Sequence, residues 1–257
     1  MNQIAAEPRA FPYKGLTRGE VALILIDMQR DFLEPDGYLA GMGYDLGCVR
    51  AAIRPAQRLL AAARGAGLPV IHTRQGYRPD LAEVPAHKLA RIQAGQSAIG
   101  KPGPLGRFLI RGEPGFQIIA ELAPAPGEFV IDKTANSAFW GTDLAAILAA
   151  RGIRALIFAG VTTDVCVHCT LREANDRGFE CLLARDACGS GDMEAHRAAL
   201  HMVTVEDGVF GVAADVDVIV AALDRMERAL ATPLPVPPKQ APAAATEPSS
   251  YLGDWSI

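Results

Sequence analysis

Ala155-Leu156-Ile157-Phe158-Ala159-Gly160-Val161-Thr162-Thr163-Asp164-Val165-Cys166 is the stretch whose reading decides the fold. Its first five residues are apolar without a break, which suits a strand buried on both faces of a parallel sheet. The residues that follow, Val167-His168-Cys169-Thr170-Leu171-Arg172-Glu173-Ala174, read as a helix. Cys166 therefore lies at a strand-to-helix turn. Unpaired N–H groups and the positive end of the helix dipole favour a thiolate there. A sulfur so placed is a candidate nucleophile that needs a base.

Outward from this stretch, similar short apolar runs recur at residues 21–27, 69–73, 128–132 and 179–183, and residues 202–205 supply a sixth strand candidate. Ala-rich helical stretches separate them, at 49–64, 143–150, 163–177 and 194–200. Gly152 and Gly178 stand where helices end on glycine. Alternating strand and helix predicts βαβ units with right-handed crossovers, hence an α/β fold with an open, mostly parallel six-stranded sheet and helices on both faces.

The 257-residue chain is half hydrophobic and carries 25 basic against 29 acidic residues, a net charge of −4. That composition allows a sizeable core, and no basic stretch marks a nucleic-acid partner. Residues 1–14 lack the layout of a signal peptide. No apolar run reaches the roughly 18–20 residues of a membrane span. The expectation is a soluble cytoplasmic protein. The five cysteines are an odd count without a secretion signal, which argues against a disulfide framework. Cys181 and Cys188 flank a strand-like run and read as buried thiols.

Residues 1–15 read as an extension, 16–230 as the domain, and the Pro/Ala-rich 231–257 as an arm resting on a neighbouring subunit. Residues 75–114 are rich in Gly and Pro with little periodicity. A loop of that length is either a pocket wall or lid, or a surface packed on another subunit.

Ligands of open α/β sheets bind at the carboxyl ends of the strands. Asp27, Lys133 and Cys166 end or follow three predicted strands there. A thiol needs a base or a cation to become a nucleophile. Asp27 can accept its proton, and Lys133 can hold both anions. Phe32, Tyr77, Phe139, Trp140 and Phe210 are candidate pocket walls. Cys166-Val167-His168-Cys169 also has redox-pair spacing, but four strand candidates precede it, where a thioredoxin-like motif follows the first. The five histidines are scattered, so no metal and no cofactor are expected.

The blocks Leu25-Ile26-Asp27-Met28-Gln29-Arg30-Asp31-Phe32, Asp132-Lys133, Gly160 to Cys166 and Thr170-Leu171-Arg172-Glu173-Ala174 resemble the isochorismatase-like cysteine hydrolases. The resemblance implies their Rossmann-like fold, an Asp27–Lys133–Cys166 triad, a cis peptide between Val161 and Thr162, and an oxyanion hole from the N–H groups of Thr162 and Cys166. It also favours a homo-oligomer. His72-Thr73-Arg74-Gln75-Gly76, Arg78-Pro79-Asp80-Leu81, Arg111-Gly112-Glu113-Pro114-Gly115, Arg172 to Gly178 and Gly208-Val209-Phe210-Gly211 are most similar to the biuret, triuret and ureidoacrylate amidohydrolase branch.

In two positions the chain departs from the biuret enzymes. Glu206 stands where they have glutamine, and Asn136 where they have a second lysine. Both are expected to line the pocket and to favour a cationic or N–H-rich substrate. The implied activity is hydrolysis of a C–N bond in a small linear amide or ureide through a thioester. A nicotinamidase or carbamoyl-amide hydrolase, or a non-catalytic binding member, is the alternative.

Overall fold

Every residue of Val21–Ile26 and of Ala155–Val161 is buried, as unbroken apolarity requires of central strands. The computed structural model describes residues 3–12, 18–95 and 97–231. Its strands are β1 (Val21–Ile26), β2 (Val70–Gln75), β3 (Pro102–Gly103), β4 (Gly106–Arg107), β5 (Phe129–Lys133), β6 (Ala155–Val161), β7 (Glu180–Gly189) and β8 (Val212–Ala214). Six of them form one sheet in the order β5-β2-β1-β6-β7-β8, with every pairing parallel. β3 and β4 make a separate antiparallel hairpin.

Alternate residues of β1 feed two cores. Leu23 and Leu25 pack with Leu59, Leu60 and Ala63 of helix Ile53–Gly65 and with Ile219 and Leu223 of helix Val216–Ala231. Ala22, Ile24 and Ile26 pack with Leu144 and Leu148 of helix Leu144–Ala150 and with Leu171 of helix His168–Asp176. Each fully buried Leu or Ile contributes about 1.5–3 kcal/mol. Helices thus cover both faces of the sheet.

One strand differs from the sequence reading. Residues 202–205 lie in helix Met193–Gly208, and the sixth strand is Val212–Ala214. Ala199 and Val203, four apart, are buried while Met202 is exposed, which is a helical and not a strand pattern. The Asp192 side chain caps that helix by accepting from the N–H groups of Glu194 and Ala195. The helix expected over 49–64 is two, Leu46–Ala51 and Ile53–Gly65. Pro55 has no N–H to donate to Ala51, so the junction falls there. Gly152 and Gly178 end their helices at positive φ, as read from the sequence.

Residues 75–114 are not structureless. They hold helix Ala86–Gln93 and the β3–β4 hairpin. Near the other end of the chain, Glu7 pairs with Ala213 beside β8, through N–H···O bonds of 2.9 and 2.8 Å. The expected C-terminal arm lies outside the described residues from 232 onward.

Gly160 positions the site. Its φ is +130°, and a Cβ there would meet the backbone of Ile26 on β1. Only glycine lets β6 run so close to the strand that delivers Asp27.

Candidate active site

The carboxyl ends of β5, β2, β1 and β6 lie side by side, and each delivers one group. Lys133 ends β5, Gln75 ends β2, Asp27 follows β1 and Cys166 follows β6. Lys133 and Gln75 are register partners. The Lys133 side chain meets groups that follow the ends of β1 and β6. Its Nζ lies 2.8 Å from Asp27 Oδ2 and 3.3 Å from Cys166 Sγ. It also donates to Gln75 Oε1 at 2.7 Å and to the Ala135 carbonyl at 3.1 Å.

Asp27 takes φ +50°, a left-handed conformation uncommon outside glycine. Its Oδ1 accepts from Thr73 Oγ1 at 2.6 Å, and its backbone N–H donates to the Thr73 carbonyl at 3.2 Å. Gln29, fully buried, ties β2 into this frame. Its Nε2 donates to the carbonyls of Gln75 and Phe116, and its Oε1 accepts from the Gln75 N–H at 2.6 Å. The side chains of Asp27 and Lys133 are wholly shielded from solvent.

Burial alone would lower the Lys133 ammonium, but the Asp27 carboxylate, with its hydrogen bond and the neighbouring Cys166, outweighs it and holds its pKa above the ordinary lysine value. Cys166 goes the other way from the sequence reading. Burial pushes its thiol up to about 12; Lys133 pulls down, while Asp27 opposes it by charge and as a hydrogen-bond acceptor. The turn contributes dipole, but a sulfur removed from water beside a carboxylate stays protonated.

The sulfur opens onto a cavity of about 440 Å³, a size suited to a small molecule. Phe32, Tyr77, Asn136, Thr162 and Cys166 line it, together with Gln75, Lys88, Arg91, Asp164 and Leu109. Residues from 75–114 therefore form a pocket wall. The turn Thr163–Val167 carries a wide i→i+5 bond, Val167 N–H to the Thr162 carbonyl at 3.2 Å. The Val161–Thr162 peptide is cis.

Four expected pocket residues stand elsewhere. Glu206 is exposed at φ +50°, where helix Met193–Gly208 breaks its helical dihedrals. Phe139 is buried in the core against Phe179, their ring centroids 6.0 Å apart. Trp140 is 61% exposed. Phe210 lies under the Arg172 guanidinium at 4.0 Å.

Sequence reasoning missed Thr73, Gln75, Lys88 and Asp164. The block His72-Thr73-Arg74-Gln75-Gly76 held the signal for the first two, since it ends a strand beside β1. Lys88 had none. The five cysteines are free thiols. Among the described residues no group of three or more His, Cys, Asp or Glu side chains is arranged to hold a metal, and no helix is long and apolar enough to cross a membrane.

Residues 21–218 match the model of the isochorismatase domain. A ureidoacrylate amidohydrolase of Azorhizobium caulinodans is 33% identical over 203 residues, 76% of this chain and 88% of that protein. A cysteine hydrolase from Pseudomonas syringae pv. phaseolicola superposes with a TM-score of 0.69 at 26% identity, covering 82% of this chain and 95% of that one. A pyrazinamidase/nicotinamidase from Streptococcus mutans gives 0.61 at 25% identity, covering 76% and 99%. With its parallel sheet, its Asp–Lys–Cys cluster at the strand ends and these relatives, the chain belongs to the isochorismatase family and is one of its cysteine hydrolases.

Proposed function

We propose that the chain is a cysteine-dependent amidohydrolase that cleaves a C–N bond of a small linear amide or ureide through a thioester. One observation carries this reading: Lys133 Nζ touches both Asp27 and the only one of the three groups that faces the cavity, Cys166. The name of the Azorhizobium relative supports the substrate class.

In this mechanism the resting nucleophile is the neutral thiol. As Sγ attacks the carbonyl carbon, its proton passes to Asp27, and the carbonyl oxygen becomes an oxyanion held by the N–H groups of Thr162 and Cys166. The tetrahedral adduct collapses, the C–N bond breaks, and Asp27 returns the proton to the departing nitrogen, releasing ammonia or an amine. Water then gives a proton to Asp27 and attacks the thioester, and the thiol reforms. Lys133 stays cationic, so negative charge moving between Asp27 and Cys166 always has a partner. General acid–base transfer of this kind is worth roughly 10²–10⁴ in rate, and one oxyanion donor a similar order.

An oligomer with the C-terminal arm on a neighbouring subunit belongs to the same reading, as does action in the cytoplasm. Sedimentation of the full chain against one ending at residue 231 tests the first. The activity is tested by ammonia release from biuret, triuret, ureidoacrylate, N-carbamoyl amino acids and nicotinamide. Turnover confined to linear ureides supports the reading. Turnover of nicotinamide alone overturns its substrate class.

A further inference from the structure

The cavity wall built by helix Ala86–Gln93 carries His87, Lys88 and Arg91. Lys88 is half-buried and lines the same cavity as Cys166. Its Nζ donates to Tyr77 Oη at 3.1 Å and to the Thr134 carbonyl at 3.3 Å. An ammonium has three N–H donors, so one is left for the cavity. Among the described residues neither Lys88 nor Arg91 has a carboxylate within ion-pair distance. Taking an ammonium partly out of water without an anionic partner costs free energy.

Tyr77 and Thr134 tie this ammonium to the site itself. Gln75, two residues before Tyr77, and Lys133, just before Thr134, are hydrogen-bonded to each other. Burial lowers the Lys88 ammonium from the ordinary lysine value. On the turn that holds Cys166, Asp164 lines the cavity too, and its Oδ1 has no hydrogen-bond partner. An unpaired acceptor there suits the N–H groups of a ureide, and an unpaired ammonium suits a carboxylate.

Resting on the amidohydrolase reading, we propose that Lys88 is the anchor for a substrate carboxylate, so that the favoured substrates are ureido acids and not neutral ureides. Of the cationic or N–H-rich substrate expected from Glu206 and Asn136, the cationic alternative is thereby replaced. Glu206 is outside the cavity, and Lys88 supplies from the wall helix the cation absent at position 136. Arg91, at the exposed rim, adds charge along the entry path.

The test uses binding, which does not depend on turnover. In full-length Cys166→Ala, calorimetry compares 3-ureidopropionate with its uncharged primary amide. The acid is expected to bind about 10- to 100-fold tighter, the range of a charge-assisted hydrogen bond. Adding Lys88→Gln is expected to erase that preference while the affinity for the amide changes less than about threefold; Lys88→Arg is expected to keep most of the preference. Equal binding of acid and amide, or a preference untouched by Lys88→Gln, overturns the anchor. The amidohydrolase reading fails separately, if Cys166→Ala still hydrolyses ureides.

Discussion

The ammonium of Lys133 lies 3.3 Å from the sulfur of Cys166, although β2 and β1 separate their strands in the sheet. Cys166 stands on the turn beyond β6 and not in the strand itself, and Asp27 Oδ2 meets the same ammonium at 2.8 Å. Two anions in turn can share one cation without any group moving far. The arrangement has consequences that differ for each of its members.

Removing the cation strands a carboxylate. Lys133→Met leaves Asp27 buried without its ion pair, which costs about 3–5 kcal/mol. Thermal unfolding is expected to fall by roughly 10 °C at this chain length, and activity to be lost. Lys133→Arg is not expected to rescue it, because a planar fork cannot replace a point charge at this spot.

Removing the base separates reactivity from catalysis. Asp27 raises the Cys166 pKa by charge and by hydrogen bonding, and Lys133 lowers it. In Asp27→Asn only the lowering influence stays charged. Alkylation of Cys166 by iodoacetamide at pH 7 is expected to become several-fold faster, while hydrolysis drops at least about 10²-fold. Peptide mapping of the alkylated thiol against time checks the first, and ammonia release the second. In the wild type, with its thiol near 12, the alkylation rate is expected to climb steadily with pH through 9.

The close approach of β6 to β1 is a steric prediction. Gly160→Ala puts a methyl group against the Ile26 backbone at φ +130°. The clash and the strained dihedral together are expected to cost more than about 3 kcal/mol. Soluble yield and unfolding temperature measure it, and a near-wild-type protein would show that β1 and β6 are further apart.

Acid stability has a source far from the site. Burial would raise the Glu128 carboxyl, but Arg64, the Ala125 N–H and His72 outweigh it and pull it to about 2. Arg64 and His72 hold its oxygens at 2.7 and 2.8 Å. A depressed carboxylate pKa gives stability that is complete above the unfolded value and disappears as pH falls through the folded one. The contribution, roughly 2 kcal/mol, is therefore present above about pH 5 and lost toward pH 2. Urea unfolding of Glu128→Gln between those limits is expected to show a flatter pH dependence than the wild type.

The central strands were legible because burial on both faces forces unbroken apolarity, as in Val21–Ile26 and Ala155–Val161. Once those strands were placed, Asp27 and Cys166 fell beyond their carboxyl ends, while Lys133 ends the edge strand β5, whose run 128–132 was read from its shorter apolar stretch. Val212–Ala214 was not legible: three residues with two alanines carry no periodicity. Residues 202–205 looked like a strand because β-branched residues interrupt a helix whose buried stripe shows only over a longer window. The pocket was harder still. Glu206 matches a pocket position of the biuret enzymes in sequence, but backbone dihedrals break at Val205–Asp207 and turn it outward. Lys88 reaches the site only through a helix set among glycines and prolines, and nothing local marks where that helix docks. The thiolate expected at the helix start ignored desolvation, the largest influence on this thiol.

In the proposed mechanism the sulfur of Cys166 forms the bond to substrate. The most direct test of that role is ammonia release from the best ureide of the panel by full-length Cys166→Ala, with unfolding temperature measured on the same sample. Turnover is expected below about one-thousandth of wild type, in a protein that unfolds within a few degrees of it. Ammonia release at a rate comparable to wild type would contradict that role.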